Sequence, residues 1–459
     1  MIKKIKIYIT LAAVAFSSVS CLDKYPEDAI PEGDAIRTVE EANQAVIGIY
    51  AYMKNPNLYS GLLTLLPDLQ ADLAYAVEGY TNTYGNIWRW DILPTNTEVE
   101  AVYGTLNALI GKCNFLLERI AVLEQEVDDE DYEKLQQFKG EALFARALSY
   151  SDLIKMYCKA YDPATAADEL GVVLVSSYSN AGTLKRASLK DSYQFVLDDL
   201  AQSATCLEPD ENENDESYYD TPYFTIYAVN ALYARVYLNM QEWDKAIEYA
   251  SKVIDSRKFK LSSTTEMIDS ETSYYQYMWQ YDHSTETIWK VGFTTTSYGG
   301  SLGQIFFNYD FNSFKPDYVP AEWVLNLYAD TDLRATTFFQ SYRTGYEHGL
   351  QWPLLAKYFG NQEFYEQNIL HVTMPKVFRL SEQYLIRAEA YCQKSNPEYG
   401  KGANDLTTLR QARYSNYGSA SLTEENWFKE ISEERVRELY MEGFRLNDLK
   451  RWGQQGLVD

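Results

Sequence analysis

The residues that could do chemistry in this chain are carboxylates and aromatic rings, because the usual catalytic and metal-binding patterns are missing. The three histidines, His283, His348 and His371, lie far apart and lack the spacing of metal ligands. The sequence has no HExxH, GxSxG, phosphate-binding loop or complete GxGxxG motif. We therefore expect no catalytic residues, no metal and no cofactor, and we predict that the protein is not an enzyme.

Near its C-terminus the chain carries a regular row of carboxylates. Glu434, Glu438 and Glu442 follow one another at i, i+4 spacing, so a helix would place three like charges on one face. Two carboxylates about 5–10 Å apart could act as the acid and base of a glycosidase. We favour a structural interpretation, in which arginines neutralise the row and lock the last helix. The candidate partners are Arg435, Arg445 and Arg451.

Aromatic side chains are unusually abundant. The 459 residues include 40 tyrosines, 19 phenylalanines and 9 tryptophans. Tyrosine and tryptophan combine an apolar ring face with a polar edge, which suits both core edges and binding surfaces. The charge balance of 41 basic and 66 acidic residues, a net charge of −25, argues against nucleic acid and against an anionic lipid surface as partners. We expect a neutral partner, or one bound through aromatic contacts.

Two segments hold many of these rings among Gly, Asn and Thr residues. Residues 75–96 form an aromatic loop, and 259–320 is a long stretch whose aromatic content argues against disorder. For any single ring the alternative is a place in the core, and that is our interpretation of the rings of Tyr274–Tyr281. The candidate ligand-binding residues are Asp72, Tyr84, Asn86, Trp88, Arg89 and Trp90 near the first segment, and Tyr298, Asn308, Tyr309 and Phe311 in the second.

The first 21 residues have the order of an export signal followed by a cysteine. Lysines occupy positions 3, 4 and 6, Ile7–Phe16 is almost wholly apolar, and small residues lead to Cys21. The apolar run is too short for a membrane-spanning helix, which needs ~20 residues. We interpret Cys21 as a lipid-modified N-terminus that anchors the protein to a membrane. The alternative is an ordinary signal peptide with a chance cysteine.

The polar, proline-containing residues after this cysteine predict a tether, and apolar residues recur at helical spacing from Thr38 onward. The other cysteines show no CxxC spacing, so we interpret them as small buried hydrophobes, although an exported protein could pair some of them. They are Cys113, Cys158, Cys206 and Cys392. We divide the chain into a signal (1–20), a tether (21–37), an N-terminal region (38–215) and a C-terminal region (216–459), the last two forming one compact unit.

Residues 223–256 predict a pair of helices joined at Gln241-Glu242. Their small and large residues match the positions by which tetratricopeptide hairpins interlock. Thr221-Pro222 offers a capping hydroxyl followed by a proline, as at a helix start. Alanine-rich pairs of this kind must stack to bury their faces. Similar patterns occupy residues 138–157, and Ser381–Lys394 with Asn404–Tyr414.

The C-terminal block carries the strongest likeness to a known family. Residues 427–453 read WFKEISEERVRELYMEGFRLNDLKRWG, which resembles the signature of the SusD/RagB family. Val99 departs from the family, which often has Trp at that position. Other segments resemble the family in the same order along nearly the whole chain: Glu141–Ala147, Ala231–Leu238, Glu286–Trp289, Asp332–Arg334 and Leu385–Tyr391.

The resemblance implies a mainly α, SusD-like fold on four tetratricopeptide-like helix pairs, with loop-rich insertions and a few short strands. It also implies a lipoprotein attached to the outer membrane through Cys21 and exposed at the cell surface. Members of this family capture oligosaccharides and deliver them to a SusC-like TonB-dependent transporter. We therefore expect a glycan ligand, with flat rings on the sugar faces and polar side chains on the hydroxyls.

Two alternatives stay open. The same fold could bind peptides, as some members of the family do, or another nutrient. The chain could also be a helical-repeat scaffold that binds only protein partners.

Overall fold

The structure, a computed structural model, describes most of the chain after the predicted signal. The described residues are 35–78, 81–178, 184–207, 218–310, 313–346, 349 and 351–458. The predictions for the export signal, for Cys21, for most of the tether and for Phe311 therefore lie outside the described residues.

Helices account for most of the described chain. In order they are α1 (Val39–Met53), α2 (Leu62–Leu69), α3 (Gly85–Trp88), α4 (Thr97–Leu123), α5 (Asp129–Tyr157), α6 (Leu189–Cys206), α7 (Ile226–Asn239), α8 (Trp243–Ile254), α9 (Tyr274–Gln280), α10 (Glu322–Leu325), α11 (Arg334–Phe338), α12 (Gln362–Tyr365), α13 (Leu380–Gln393), α14 (Tyr399–Gln411), α15 (Trp427–Leu439) and α16 (Arg445–Gln454). Thr38 caps α1 by accepting the Glu41 N–H, in agreement with the predicted start.

Short strands form five antiparallel two-stranded sheets within the described part of the chain. The pairs are β1 (Ala74–Ala76) with β7 (Tyr318–Pro320), β2 (Leu170–Val173) with β3 (Arg186–Ser188), β4 (Thr287–Lys290) with β10 (Lys376–Arg379), β5 (Tyr309–Asp310) with β6 (Ser313–Phe314), and β8 (Phe339–Arg343) with β9 (Gln351–Leu355). Most of them lie between α8 and α13, so the insertion predicted at 259–320 is real and continues to β10.

The helices stack as pairs, as the alanine pattern predicts. Helices α4, α5 and α6 pack successively, and α8 lies between α7 and α13, which also packs on α14. Ala246 and Ala250 of α8 are fully buried, and their small side chains let the neighbouring helices approach closely. They share a cluster with Ala234, Leu238, Ile386 and Ala390. The predicted mainly α fold on helix pairs is confirmed.

The predicted helix start at Thr221-Pro222 is wrong. Helix α7 begins four residues later, after Thr225. The Thr221 hydroxyl accepts the Tyr223 N–H in a local turn, and the Pro222 carbonyl accepts the indole N–H of Trp289 at 2.9 Å. These contacts keep Thr221–Tyr223 outside the helix.

A buried cluster of arginines and glutamates joins the insertion to the C-terminal helices. The guanidinium of Arg413 donates to Glu286 and to Glu438, both at 2.9 Å. Arg379, at the end of β10, donates to the same two carboxylates at 2.7 and 2.8 Å. All four side chains are essentially inaccessible to solvent. Burial alone would raise the pKa of Glu438, but Arg413 and Arg379 hold it below its usual range.

The glutamate row is thus part of a structural network, although not with the arginines that the sequence suggested. Glu434 pairs with Arg334, Arg410 and Arg437 instead. Glu442 is not on the same helix, because α15 ends at Leu439. The three expected partners bind elsewhere: Arg435 pairs with Asp448, Arg445 with Asp72, and Arg451 with Glu389.

The described cysteines are unpaired thiols. Cys113, Cys158 and Cys392 are buried and Cys206 is half-buried, so the interpretation as small hydrophobes is confirmed for the first three. Among the described residues, every helix is too short or too polar to cross a bilayer.

Replacing Glu438 with glutamine should lower the free energy of unfolding by about 3 kcal/mol at pH 7, because Arg379 and Arg413 lose the carboxylate between them. A depressed carboxyl pKa stabilises the fold above the ordinary pKa of glutamate, and this contribution is lost as the pH falls below it. The difference between the two proteins should therefore shrink below about pH 4. Chemical denaturation at several pH values measures both effects.

Glu130→Gln is the matched control, because Glu130 pairs with Lys134 at 2.9 Å on an exposed helix turn. That variant should unfold like the wild type, since exposed ion pairs contribute little. A Glu438→Gln variant as stable as the control would contradict the structural role of the network.

Candidate functional site

Three tryptophans are fixed to one short stretch of backbone that follows α2. Each indole N–H donates to a different carbonyl: Trp90 to Gln70 at 2.7 Å, Trp323 to Asp72 at 2.7 Å, and Trp88 to Ala74 at 2.9 Å. The stretch from Gln70 to Ala74 can span no more than roughly 14 Å. We call these three rings the indole platform. The Trp90 side chain is 62% exposed, and the other two are half-buried.

The platform loop has an unusual backbone. Tyr84 and Trp90, on either side of the short helix α3, both have a φ of about +61°, in the left-handed region. Bulky residues rarely adopt this conformation, and it persists only where surrounding contacts impose it. For Trp90 the indole hydrogen bond to Gln70 is such a contact. Strained residues of this kind cluster at functional sites.

The remaining predicted residues of the first segment differ in their surroundings. Tyr84 is half-buried between the two largest apolar cores, and burial raises its pKa. Asn86 is half-buried and its carbonyl accepts the Asp91 N–H at 2.8 Å. Arg89 is exposed next to the platform tryptophans in sequence. Tyr84 therefore packs against the apolar core, whereas Trp90 exposes its ring to solvent.

A charged pair borders the platform. The guanidinium of Arg445 donates twice to the carboxylate of Asp72, at 2.8 and 2.7 Å, and lies over the Trp323 ring, 5.4 Å from its centroid. Both groups are partly exposed, so their remaining hydrogen-bonding capacity faces solvent. Asp72 thus lies beside the platform, together with Arg445, which the sequence analysis did not include among the candidate ligand-binding residues.

Arg445 is positioned by a buried carboxylate. Asp68 accepts the backbone N–H groups of Gly443 at 2.8 Å and Arg445 at 2.9 Å. Gly443 has a φ of +84°, and a Cβ there would meet the Thr64 carbonyl at 3.1 Å, so this turn requires glycine. Burial raises the pKa of Asp68 to about 7, and the two backbone N–H groups offset part of the rise.

The second predicted segment meets the first through Asp317. Its carboxylate accepts the side-chain amides of Asn82 at 3.0 Å and Asn308 at 2.6 Å. The Tyr318 hydroxyl adds a bond to the Thr83 carbonyl at 2.6 Å. Asp317 therefore links the two segments, and the side-chain amide of Asn308 is engaged within the protein by holding Asp317.

Tyr309 lies at a separate aromatic depression, which we call the tyrosine cleft. It has a volume of about 460 Å³. Phe307 is buried beneath it, with its ring centroid 5.5 Å from Phe314 and 5.1 Å from Phe359. The lining residues are Tyr309, Ser313, Phe314, Tyr342, Arg343, Phe359, Tyr365, Leu370 and His371.

Tyr298 belongs to neither surface. Its half-exposed ring lies 6.4 Å from Phe364, and the preceding residue, Ser297, accepts a hydrogen bond from Lys54. The structure thus brings Trp88 and Trp90 together with Asp72, places Tyr309 in a different depression, and leaves Tyr298 apart from both.

Comparison of the sequence with models of known families identifies the family to which this chain belongs. A SusD-like family model described as "Starch-binding associating with outer membrane" matches residues 22–238, and the SusD family model matches residues 339–456. The chain belongs to the SusD family. A SusD-like protein of Formosa agariphila is 22% identical over 98% of this chain and 90% of its own length.

Solved structures share the SusD fold. A SusD superfamily protein of Bacteroides thetaiotaomicron superimposes with a TM-score of 0.76 and 23% identity, covering 92% of this chain and 89% of its own. A SusD-like carbohydrate-binding protein of Bacteroides vulgatus gives a TM-score of 0.72 and 18% identity, covering 90% and 83%. At such identities the likeness establishes the fold.

Sequence reasoning missed the parts of this candidate site that come from distant segments of the chain. Trp323 joins the platform because β1 pairs with β7, with Tyr75 opposite Val319. Arg445 arrives from the C-terminal block. The resemblance to the family could have flagged Arg445, since it lies in the quoted signature, whereas no local pattern marks Trp323.

Replacing Asp68 with asparagine should change how stability depends on pH. In the wild type the Asp68 carboxyl keeps its proton up to about pH 7 in the folded state, because its pKa is raised. In the unfolded state the same carboxyl releases its proton near pH 4. Relative to Asp68→Asn, the wild-type free energy of unfolding should therefore fall with rising pH, by roughly 1.4 kcal/mol per unit between about pH 4 and 7. Above that window the difference should be constant. Chemical denaturation of both proteins at several pH values measures the effect. Free energies of unfolding that change equally with pH in the two proteins would contradict the titration of Asp68.

Proposed function

We propose that this SusD-family chain captures oligosaccharides or polysaccharides outside the cell and delivers them to a SusC-like TonB-dependent transporter. The sugar binds at the indole platform. The observation that carries this proposal is the exposed Trp90 ring, which a backbone hydrogen bond and a left-handed conformation hold in one orientation.

The chemistry of the platform suits a neutral glycan. Flat indole rings accept the C–H faces of pyranoses, and the adjoining Asp72–Arg445 pair offers acceptors and donors to hydroxyls. The rings are already fixed to backbone carbonyls, so binding costs little side-chain entropy. The carbohydrate-binding relative from Bacteroides vulgatus supports the same class of ligand.

Such a site binds weakly. A well-stacked ring contributes on the order of 1–2 kcal/mol, and three of them, less the cost of association, give micromolar to millimolar affinity. Rapid dissociation suits a protein that must pass its ligand onward. The description of the matching family as associating with the outer membrane supports attachment there, and acylated Cys21 supplies the anchor.

Trp90→Ala should lower the affinity for the preferred polysaccharide about tenfold, because it removes the most exposed stacking face of the platform. Isothermal titration calorimetry of the full chain in detergent, against a panel of neutral polysaccharides and peptides, identifies the ligand and measures the loss. Binding of peptides alone would favour the second ligand class and overturn the glycan proposal.

Tyr132→Ala is the control, since Tyr132 is an exposed ring on the first turns of α5. It should bind like the wild type. Equal affinity of Trp90→Ala and Tyr132→Ala for every bound polysaccharide would place the sugar somewhere other than the platform.

Cys21→Ser should release the protein from the outer membrane, because serine cannot carry the thioether-linked lipid. Immunoblots of membrane and soluble fractions report the distribution, and protease treatment of whole cells reports surface exposure. A Cys21→Ser protein that stays in the outer-membrane fraction would contradict the lipid anchor while leaving sugar binding untouched.

A further inference from the structure

The tyrosine cleft has the form of a second ligand site. Its volume of about 460 Å³ falls within the range of small-molecule pockets. Tyr309 and Tyr365 expose 62% and 42% of their surface at its rim. The two rings belong to different segments, and each packs on a ring of the wall: Tyr309 on Phe314 at 5.5 Å, and Tyr365 on Phe359 at 5.4 Å.

The rings that line the cleft are held in fixed positions, because several of them pack on one buried side chain, Phe307. The Phe307 ring is fully buried and contacts Phe314, Tyr342, Phe359 and His371, with centroid distances of 5.1 to 5.9 Å. His371 is itself fixed by its Nδ1, 2.8 Å from the Phe359 carbonyl. A ligand would therefore meet rings that are already oriented.

Arg343 is the charged residue among the described residues of this lining. It lies at the end of β8, opposite Gln351, and its side chain is exposed. Within the described part of the chain no carboxylate pairs with it. Burial lowers the pKa of His371, so the imidazole at the floor is neutral at pH 7. Among the described residues, the cleft thus combines one guanidinium with a lining rich in aromatic rings.

Gly349 lies close to this guanidinium. Its φ is +60°, in the region that favours glycine, and a Cβ there would lie 2.6 Å from Arg343 Nε. The Arg343 head group therefore lies beside the backbone of Gly349.

We propose that the tyrosine cleft binds an acidic sugar residue, with its carboxylate on Arg343 and its ring face against the tyrosines of the rim. A guanidinium pairs with a carboxylate through two parallel hydrogen bonds, and Tyr and Ser hydroxyls serve the neutral groups of the ring. The net charge of −25 does not prevent this, because charges beyond about 8 Å are screened at physiological ionic strength. The assignment rests on the carbohydrate binding proposed above but concerns a different surface.

The test compares acidic sugars with their neutral counterparts. Trimers of glucuronic, galacturonic and mannuronic acid are titrated into the full chain in detergent, each beside the same trimer after reduction of its carboxylates to alcohols. At least one acidic trimer should bind about tenfold more tightly than its reduced form, and this preference should weaken in 0.5 M salt. If no acidic trimer is preferred, the proposal is wrong.

Arg343→Gln should abolish the preference by lowering the affinity for the acidic trimer to that of the reduced one. Arg257→Gln removes an equal charge from an exposed turn after α8 and should keep the preference. Tyr309→Leu should weaken the binding of the preferred acidic trimer, because it removes a ring of the rim.

Trp90→Ala separates the two surfaces. It should leave the preference for acid intact while lowering the affinity for neutral polysaccharides. A preference for acid that survives Arg343→Gln and disappears with Trp90→Ala would overturn the assignment of the cleft and leave the platform proposal standing. A wild-type protein that binds acidic trimers but no neutral polysaccharide would overturn the platform proposal instead.

Discussion

The shared carboxylate of Glu438 is the contact on which this architecture depends. Arg379 and Arg413 both donate to it, and Arg334 lies 3.0 Å from its other oxygen. These three arginines come from β10, from the turn after α14 and from the start of α11, so a single side chain binds three segments that are distant in sequence. A buried guanidinium needs such a partner, since leaving it unpaired costs several kcal/mol.

The same network reaches the segment that borders the indole platform. Arg379 also donates to Glu442, which accepts Lys357 at 2.6 Å. Directly after Glu442 comes the glycine turn whose N–H groups bind Asp68, and that turn places Arg445 beside Asp72 and the platform. Asp68 lies in the last turn of α2, the helix that precedes the carbonyls holding the indoles. The buried network and the candidate platform are therefore connected through one short segment, Glu442–Arg445.

Local patterns in the sequence were sufficient to predict the helices. They were insufficient to predict which side chains from distant segments contact each other. The hairpin of α7 and α8 follows from alanine spacing within about 30 residues, and Trp88 and Trp90 stand out in an aromatic loop. Arg334 meets Glu434 across 100 positions and Trp323 meets Asp72 across 251, so neither pairing has a local signal. The distinction between Tyr309 and Tyr298 likewise depends on which rings pack beneath them, which only the folded chain decides.

Each indole is anchored through the N–H at its edge. The hydrogen bond fixes the tilt of the ring without using its flat face. Phenylalanine or tyrosine at these three positions would keep an aromatic face but could not reach the carbonyls of Gln70, Asp72 and Ala74 in the same way. The relative angles of the faces are set by the main chain itself. If the platform binds a glycan as proposed, its fixed ring angles match one curvature of the saccharide chain, so a helical and an extended polymer of the same monomer would bind unequally.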